Sequence, residues 1–249
     1  MSMPHSGRRR VLRSFCCGGL TLSAGLTVGA GLLPARSQAA TGKKTDLTPQ
    51  QALDLLKVGN KQFITDSPVR AVQGRDRRLE IARGQTPIAV LVSCSDSRVP
   101  PELLFGRGLG ELFIVRNAGN TIDNVALGSI EYAIAQLGVP LVVVLGHERC
   151  GAVEAAMAVV EQSATFPGSI GQMVEPIVPA VLKARANLKG KEAPADVLLD
   201  ASVRENIRRV VNRLRTSEAM LLEPVRTNKL MVVGARYDLD DGEVDFFDV

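Results

Sequence analysis

Unbroken apolar runs alternate along the chain with segments of helical periodicity. Ile88, Ala89, Val90, Leu91 and Val92 are consecutive apolar residues, the pattern of a strand buried on both faces. Residues 112–115 and 141–145 repeat it. Between them, residues 125–137 are apolar at helical spacing and stop at Gly138 and Pro140. Strand, helix and strand in this order predict βαβ units, hence an α/β fold with a mainly parallel central sheet flanked by helices. Upstream, Thr48-Pro49 supplies a cap and first-turn pair ahead of Ala52, Leu53, Leu55, Leu56 and Phe63. Residues 75–83 predict a short helix stopped by Gly84. Downstream, the spacing predicts long helices over 170–188 and 203–222, a last core strand over 230–235, a turn at Asp240-Asp241-Gly242, and a short edge strand over 244–247.

The N-terminus breaks this pattern. Arg8, Arg9, Arg10 and Arg13 precede an apolar stretch rich in Gly, Ala, Thr and Leu over 15–33, and small residues follow at 34–40. This three-part layout, with a twin Arg before a mild apolar region, predicts a Tat-type signal peptide over 1–39, cleaved near the Ala39–Ala40 bond. A linker over 40–46 and one domain over 47–249 follow. Export to the periplasm or medium is the expectation, with no stable membrane insertion after cleavage. An uncleaved signal retained as a membrane anchor is the alternative. Cys16 and Cys17 precede the apolar stretch, so neither is placed as a lipoprotein cysteine.

Charge confirms the division. The formal net charge is +4, yet the first forty residues carry five Arg and no Asp or Glu, and removing those five leaves −1. The basicity belongs to the leader, and no basic, aromatic-interleaved stretch follows, which argues against nucleic-acid binding. The chain has no Trp, 2 Tyr and 7 Phe, so its core is aliphatic.

Rare residues then concentrate at strand ends. Cys94-Ser95-Asp96-Ser97-Arg98 follows the run 88–92 after Ser93, and His147-Glu148-Arg149-Cys150 follows the run 141–145 after Gly146. Cys150 opens the next helix. Beyond the leader, Cys94 and Cys150 are the only cysteines and His147 the only histidine. Two thiols and one imidazole are the ligand types zinc takes. Structural zinc sites close with four protein ligands, whereas catalytic ones keep a position open, so three ligands beside a carboxylate point to zinc chemistry. Both motifs lie at the carboxyl ends of parallel strands, where open α/β sheets bind ligands. Gly106-Arg107-Gly108-Leu109-Gly110 lacks phosphate-loop spacing. A Ser-His-Asp hydrolase lacks both a spare histidine and a Gly-x-Ser-x-Gly elbow.

Cys94-Ser95-Asp96-Ser97-Arg98-Val99-Pro100-Pro101-Glu102, Val115-Arg116-Asn117-Ala118-Gly119-Asn120 and Gly146-His147-Glu148-Arg149-Cys150-Gly151-Ala152-Val153 closely resemble the β-class carbonic anhydrases. Residues 232–239 resemble that family's last strand, and the resemblance spans about 47–249. It implies a zinc enzyme interconverting carbon dioxide and bicarbonate, with one Zn2+ per subunit on Cys94, His147 and Cys150. Asp96 and Arg98 match the catalytic dyad, in which the carboxylate orients a zinc-held hydroxide and the guanidinium keeps that carboxylate off the metal. In a closed state Asp96 becomes a fourth ligand. Gln85, Phe113, Tyr132 and Gly151 match substrate-pocket positions of the plant-like subgroup. That subgroup implies a homodimer or higher homo-oligomer with the N-terminal helices packed on the partner subunit. Hydrolysis of a carbon dioxide analogue such as carbonyl sulfide or carbon disulfide, or a non-catalytic zinc module, are the alternatives.

The chain also departs from the family pattern. Without Trp, a tryptophan-containing allosteric bicarbonate site is incomplete. Ala152 stands where many members have Gly, and Glu148-Arg149 is more charged than is usual there.

Overall fold

A computed structural model describes residues 43–67, 71–188 and 193–248. The expected leader over 1–39, the expected cleavage site, Cys16, Cys17 and the first part of the expected linker lie outside the described residues.

The described strands form one sheet in the order β2-β1-β3-β4-β5. They are β1 (Ala89–Ser93), β2 (Leu112–Arg116), β3 (Leu141–His147), β4 (Met231–Tyr237) and β5 (Val244–Phe247). The first four run parallel and β5 pairs antiparallel on β4, so the α/β architecture and the short edge strand stand as read from the pattern. Every residue of β1 and β3 is buried, because successive side chains point to opposite faces and both faces are covered. Val90, Val92, Val142 and Val144 face one core, and Ala89, Leu91, Leu141, Val143 and Leu145 face the other. β2 differs from its expected full burial: Leu112, Phe113 and Ile114 are half-buried and Arg116 is exposed. It is an edge strand, paired only with β1 among the described strands.

Helix α1 (Pro49–Ile64) starts as expected. The Thr48 hydroxyl accepts from the Gln51 N–H at 3.2 Å and Gln51 Oε1 accepts from the Thr48 N–H at 2.9 Å, a reciprocal capping box with Pro49 in the first turn. Its Ala52, Leu53 and Leu56 lie on the chain's own sheet. Gly59 permits that approach, since a Cβ there would lie 1.9 Å from the Phe105 carbonyl oxygen. Buried Asn60 donates to the Gly242 carbonyl and accepts from the Val244 N–H, both at 2.9 Å, tying α1 to the β4–β5 turn. One face of α1 covers its own sheet, and α2 (Arg75–Ile81) buries no side chain.

Short α3 (Pro101–Leu104) follows β1, and α4 (Asn124–Ala135) joins β2 to β3, capped by Asp123. α5 (Gly151–Gln162) follows β3. The single helix expected over 170–188 is α6 (Ile170–Val174), a tight turn at Glu175–Ile177, and α7 (Val178–Asn187). Pro176 and Pro179 lack the N–H groups that a continuous helix needs. The helix expected over 203–222 begins earlier, as α8 (Ala195–Thr216) directly after Pro194, and α9 (Ala219–Arg226) is separate. Glu218 is extended between them, its carboxylate accepting from Arg213 Nε at 2.6 Å. Among the described residues no helix is long and apolar enough to cross a membrane.

Candidate metal centre

Two neighbouring parallel strands bring the site together. Ser93 ends β1 and pairs in register with Leu145 of β3, so Cys94, just beyond β1, meets the end of β3. His147 is the last residue of β3 rather than the residue after it, since that strand runs two positions past the apolar run. Cys150 is the cap of α5. The ligand atoms of Cys94, His147 and Cys150 all lie within 4.8 Å of one another, and all three residues are buried. The two Sγ atoms are 4.0 Å apart.

The histidine is prepared for a metal. Its Nδ1 lies 2.8 Å from the Glu148 carbonyl; a carbonyl only accepts, so Nδ1 carries the proton and Nε2 offers its lone pair. Nε2 is buried without a hydrogen-bond partner, and orphaned buried polar atoms carry a desolvation cost. A soft or borderline dication between this nitrogen and two thiols satisfies it. The residues present fit zinc.

The thiols do not ionise alike. Cys94 is held well below the ordinary thiol range, chiefly by its hydrogen bond with the Cys150 thiol and further by the Asp96 and Gly119 N–H groups, with burial opposing. Cys150 is pushed far up by that same hydrogen bond, by burial and by the Cys94 charge. The first thiolate thus suppresses the second, and only a cation between them brings both to the ligand form.

Asp96 stands beside the triad, its Oδ2 3.8 Å from His147 Nε2. Arg98 grips it three times: Nε donates to Oδ1 at 3.0 Å, Nη2 to Oδ2 at 2.8 Å, and the backbone N–H to Oδ1 at 2.9 Å. The Arg98 guanidinium, followed by its backbone N–H, holds the Asp96 carboxyl well below the usual carboxylate range against the effect of burial. Asp96 is therefore an acceptor-only carboxylate near neutral pH.

Several supporting residues carry no assigned role in the sequence reading. Arg116 donates to the Cys94 carbonyl at 2.9 Å and to the Asp96 carbonyl at 2.7 Å, fixing the loop that bears both. Gly119, at φ +67°, donates its N–H to Cys94 Sγ at 3.2 Å. Buried Asn206 on α8 donates to the Gly119 carbonyl at 2.9 Å. Arg116 and Gly119 lie inside the recognised motif, whereas Asn206 carries no sequence signal.

The expected pocket residues are less concentrated. Phe113 and Tyr132 touch, with ring centroids 6.4 Å apart, and pack half-buried against the core. Gly151 is exposed beside Cys150, and a Cβ there would meet nothing within 4 Å. Gln85 is half-buried ahead of β1. The acidic group Glu148, Asp238 and Asp240 also clusters, but Arg149 and Arg236 pair with it.

Sheet and site together define an open α/β protein with a thiol–imidazole metal site at the carboxyl ends of parallel strands. A carbonic anhydrase family model matches residues 89–244. The chain is 39% identical over 194 residues to "Carbonic anhydrase 2" of Mycobacterium tuberculosis (strain CDC 1551 / Oshkosh), covering 78% of this chain and 90% of that protein. It is 36% identical over 197 residues to a carbonic anhydrase of Mycolicibacterium smegmatis, covering 79% and 92%. It resembles the crystal structure of the β-carbonic anhydrase CafA of Aspergillus fumigatus at TM-score 0.63 and 28% identity, covering 70% of this chain and 81% of that one. The chain belongs to the β-class carbonic anhydrase family and is an enzyme, a carbonic anhydrase.

Proposed function

We propose that this protein catalyses the reversible hydration of carbon dioxide to bicarbonate and a proton at the Cys94–His147–Cys150 centre. The orphaned Nε2 of His147, converging with two thiols beside an Arg-held carboxylate, carries the reading. Cys94, His147 and Cys150 would hold zinc, which would supply the Lewis acidity that makes water nucleophilic near neutral pH. Asp96 would accept a hydrogen bond from the attacking water and orient it toward the carbon of carbon dioxide. Arg98 keeps the carboxylate ionised and away from the ligand position, since its planar fork matches both oxygens. Phe113, Tyr132, Gln85 and Gly151 line the substrate side. The released proton leaves through water and buffer.

The assembly is a homodimer or larger, in keeping with the half-buried apolar edge strand β2 and the unburied α2. The Arg-rich leader supports export to the periplasm, with 1–39 removed, 40–46 as linker and 47–249 as the enzyme domain.

Stopped-flow carbon dioxide hydration by the zinc-loaded protein tests the reaction. Activity above buffer at pH 8 is expected, with most of it lost in Asp96→Asn at unchanged zinc content. An inactive wild-type holoenzyme would defeat the reading, and a fully active Asp96→Asn would remove Asp96 from the chemistry.

A further inference from the structure

Arg149 and Asp240 belong neither to the ligands nor to the dyad, yet they are joined to both. Arg149 sits in the turn between His147 and Cys150 at φ +48°, a left-handed conformation that a non-glycine residue adopts only when its surroundings enforce it. The surroundings here are the segment after β4. Arg149 Nη1 donates to Asp240 Oδ2 at 2.9 Å and Nη2 to Oδ1 at 2.7 Å, a planar two-point grip. The same segment holds the neighbouring residue: the Glu148 N–H donates to the Tyr237 carbonyl at 3.0 Å, and the Leu239 N–H donates to Glu148 Oε2 at 3.3 Å.

What this grip orients is the Arg149 carbonyl. It accepts from Arg98 Nη2 at 3.3 Å, and the same nitrogen donates to Asp96 Oδ2 at 2.8 Å. The Arg98 side chain is 51% exposed. Among the described residues the Arg149 carbonyl is the one acceptor besides Asp96 that holds this guanidinium. Asp96 Oδ2, at 3.8 Å from His147 Nε2, borders the ligand position.

We infer that the Arg149–Asp240 pair is a clamp that keeps Arg98 on Asp96, and so sets the fraction of molecules in which Asp96 stays off the metal. Both are positioning residues, and the inference rests on the roles of Asp96 and Arg98 given above. The unusual charge at position 149 thereby acquires a purpose in this chain.

The test uses zinc holoenzyme carrying Asp240→Ala or, separately, Arg149→Ala, with two readouts: kcat/KM for hydration, and the rate of zinc release to a chromogenic chelator. With the clamp open, Asp96 adds a fourth ligand. Hydration should fall and zinc release should slow, each by at most about fivefold, the upper end of what an exposed two-point ion pair supplies. The slower release should vanish when Asp96→Asn is added. A merely loosened turn would instead speed release. Unchanged or faster release, or slowing that survives Asp96→Asn, overturns the clamp. A fully active Asp96→Asn single variant would instead overturn the proposed chemistry, leaving the release rates to judge the clamp alone.

Discussion

Gly119→Ala strikes the packing of the turn after β2 against α5 and Ile177. Gly119 adopts φ +67°, which costs an L-residue about 1–2 kcal/mol. An added Cβ would also lie 2.6 Å from Ile177 Cδ1 and 3.1 Å from Ala152 Cβ. Ile177 is fully buried, so its methyl has no solvent to move into, and overpacking adds about 1–3 kcal/mol. The expected loss is therefore about 2–5 kcal/mol, a large share of the roughly 5–15 kcal/mol that holds a typical domain folded. Urea unfolding of the zinc-loaded protein measures it. Zinc retention should fall too, because the Gly119 N–H that faces Cys94 Sγ at 3.2 Å is displaced. Combining Gly119→Ala with Ile177→Val deletes the clashing methyl and should recover the packing share, less the about 0.5–1.5 kcal/mol that this deletion costs alone. A loss under about 0.5 kcal/mol for Gly119→Ala, the range of an inert surface change, would refute the reasoning. No recovery in the double variant would show that the clash with Ile177 is not the source.

Two further outcomes follow from the same geometry. Asn206→Ala leaves the buried Gly119 carbonyl without its donor, and urea unfolding should show a loss of about 1–3 kcal/mol; an unchanged midpoint would mean that another donor replaces the amide. In acid, Asp238 is held below the usual carboxylate range, first by the Asp240 N–H and then by Arg236, against burial. A depressed folded-state pKa contributes stability above the unfolded value of about 3.9 and loses it as pH falls through the folded value. Wild type should therefore lose more stability than Asp238→Asn between about pH 5 and pH 2, and parallel pH curves for the two would rule this out.

The elements legible in the sequence are those whose signal is local. β1 and β3 show as apolar runs because both their faces are covered, and α1 shows through Thr48-Pro49 ahead of apolar residues at helical spacing. The helices around Pro176 and Pro179 read as one because apolar spacing continues across residues that lack a backbone N–H, and α8 and α9 read as one because nothing local marks the extended Glu218 between them. β2 misled for a related reason: Leu112–Val115 is as apolar as β1, but its place at the edge is decided by pairing partners. In the site, Cys94, His147 and Cys150 stand out because those residue types are scarce beyond the first forty residues. Asn206 and Asp240 were silent, since each acts on a backbone or side-chain group 87 or 91 positions away, a separation that no local pattern encodes.

The pairing of Ser93 with Leu145 has a consequence for folding fidelity. Both β1 and β3 are apolar on each face, so a slip by one residue would still bury hydrophobic side chains and is poorly penalised by burial alone. The same slip would carry Cys94 about 3.3 Å along the sheet and turn it to the opposite face, away from His147 and Cys150. A metal ion that demands all three ligands would thus act as a proofreader of strand alignment: it would stabilise only chains whose strands are in step, by mass action on that one state.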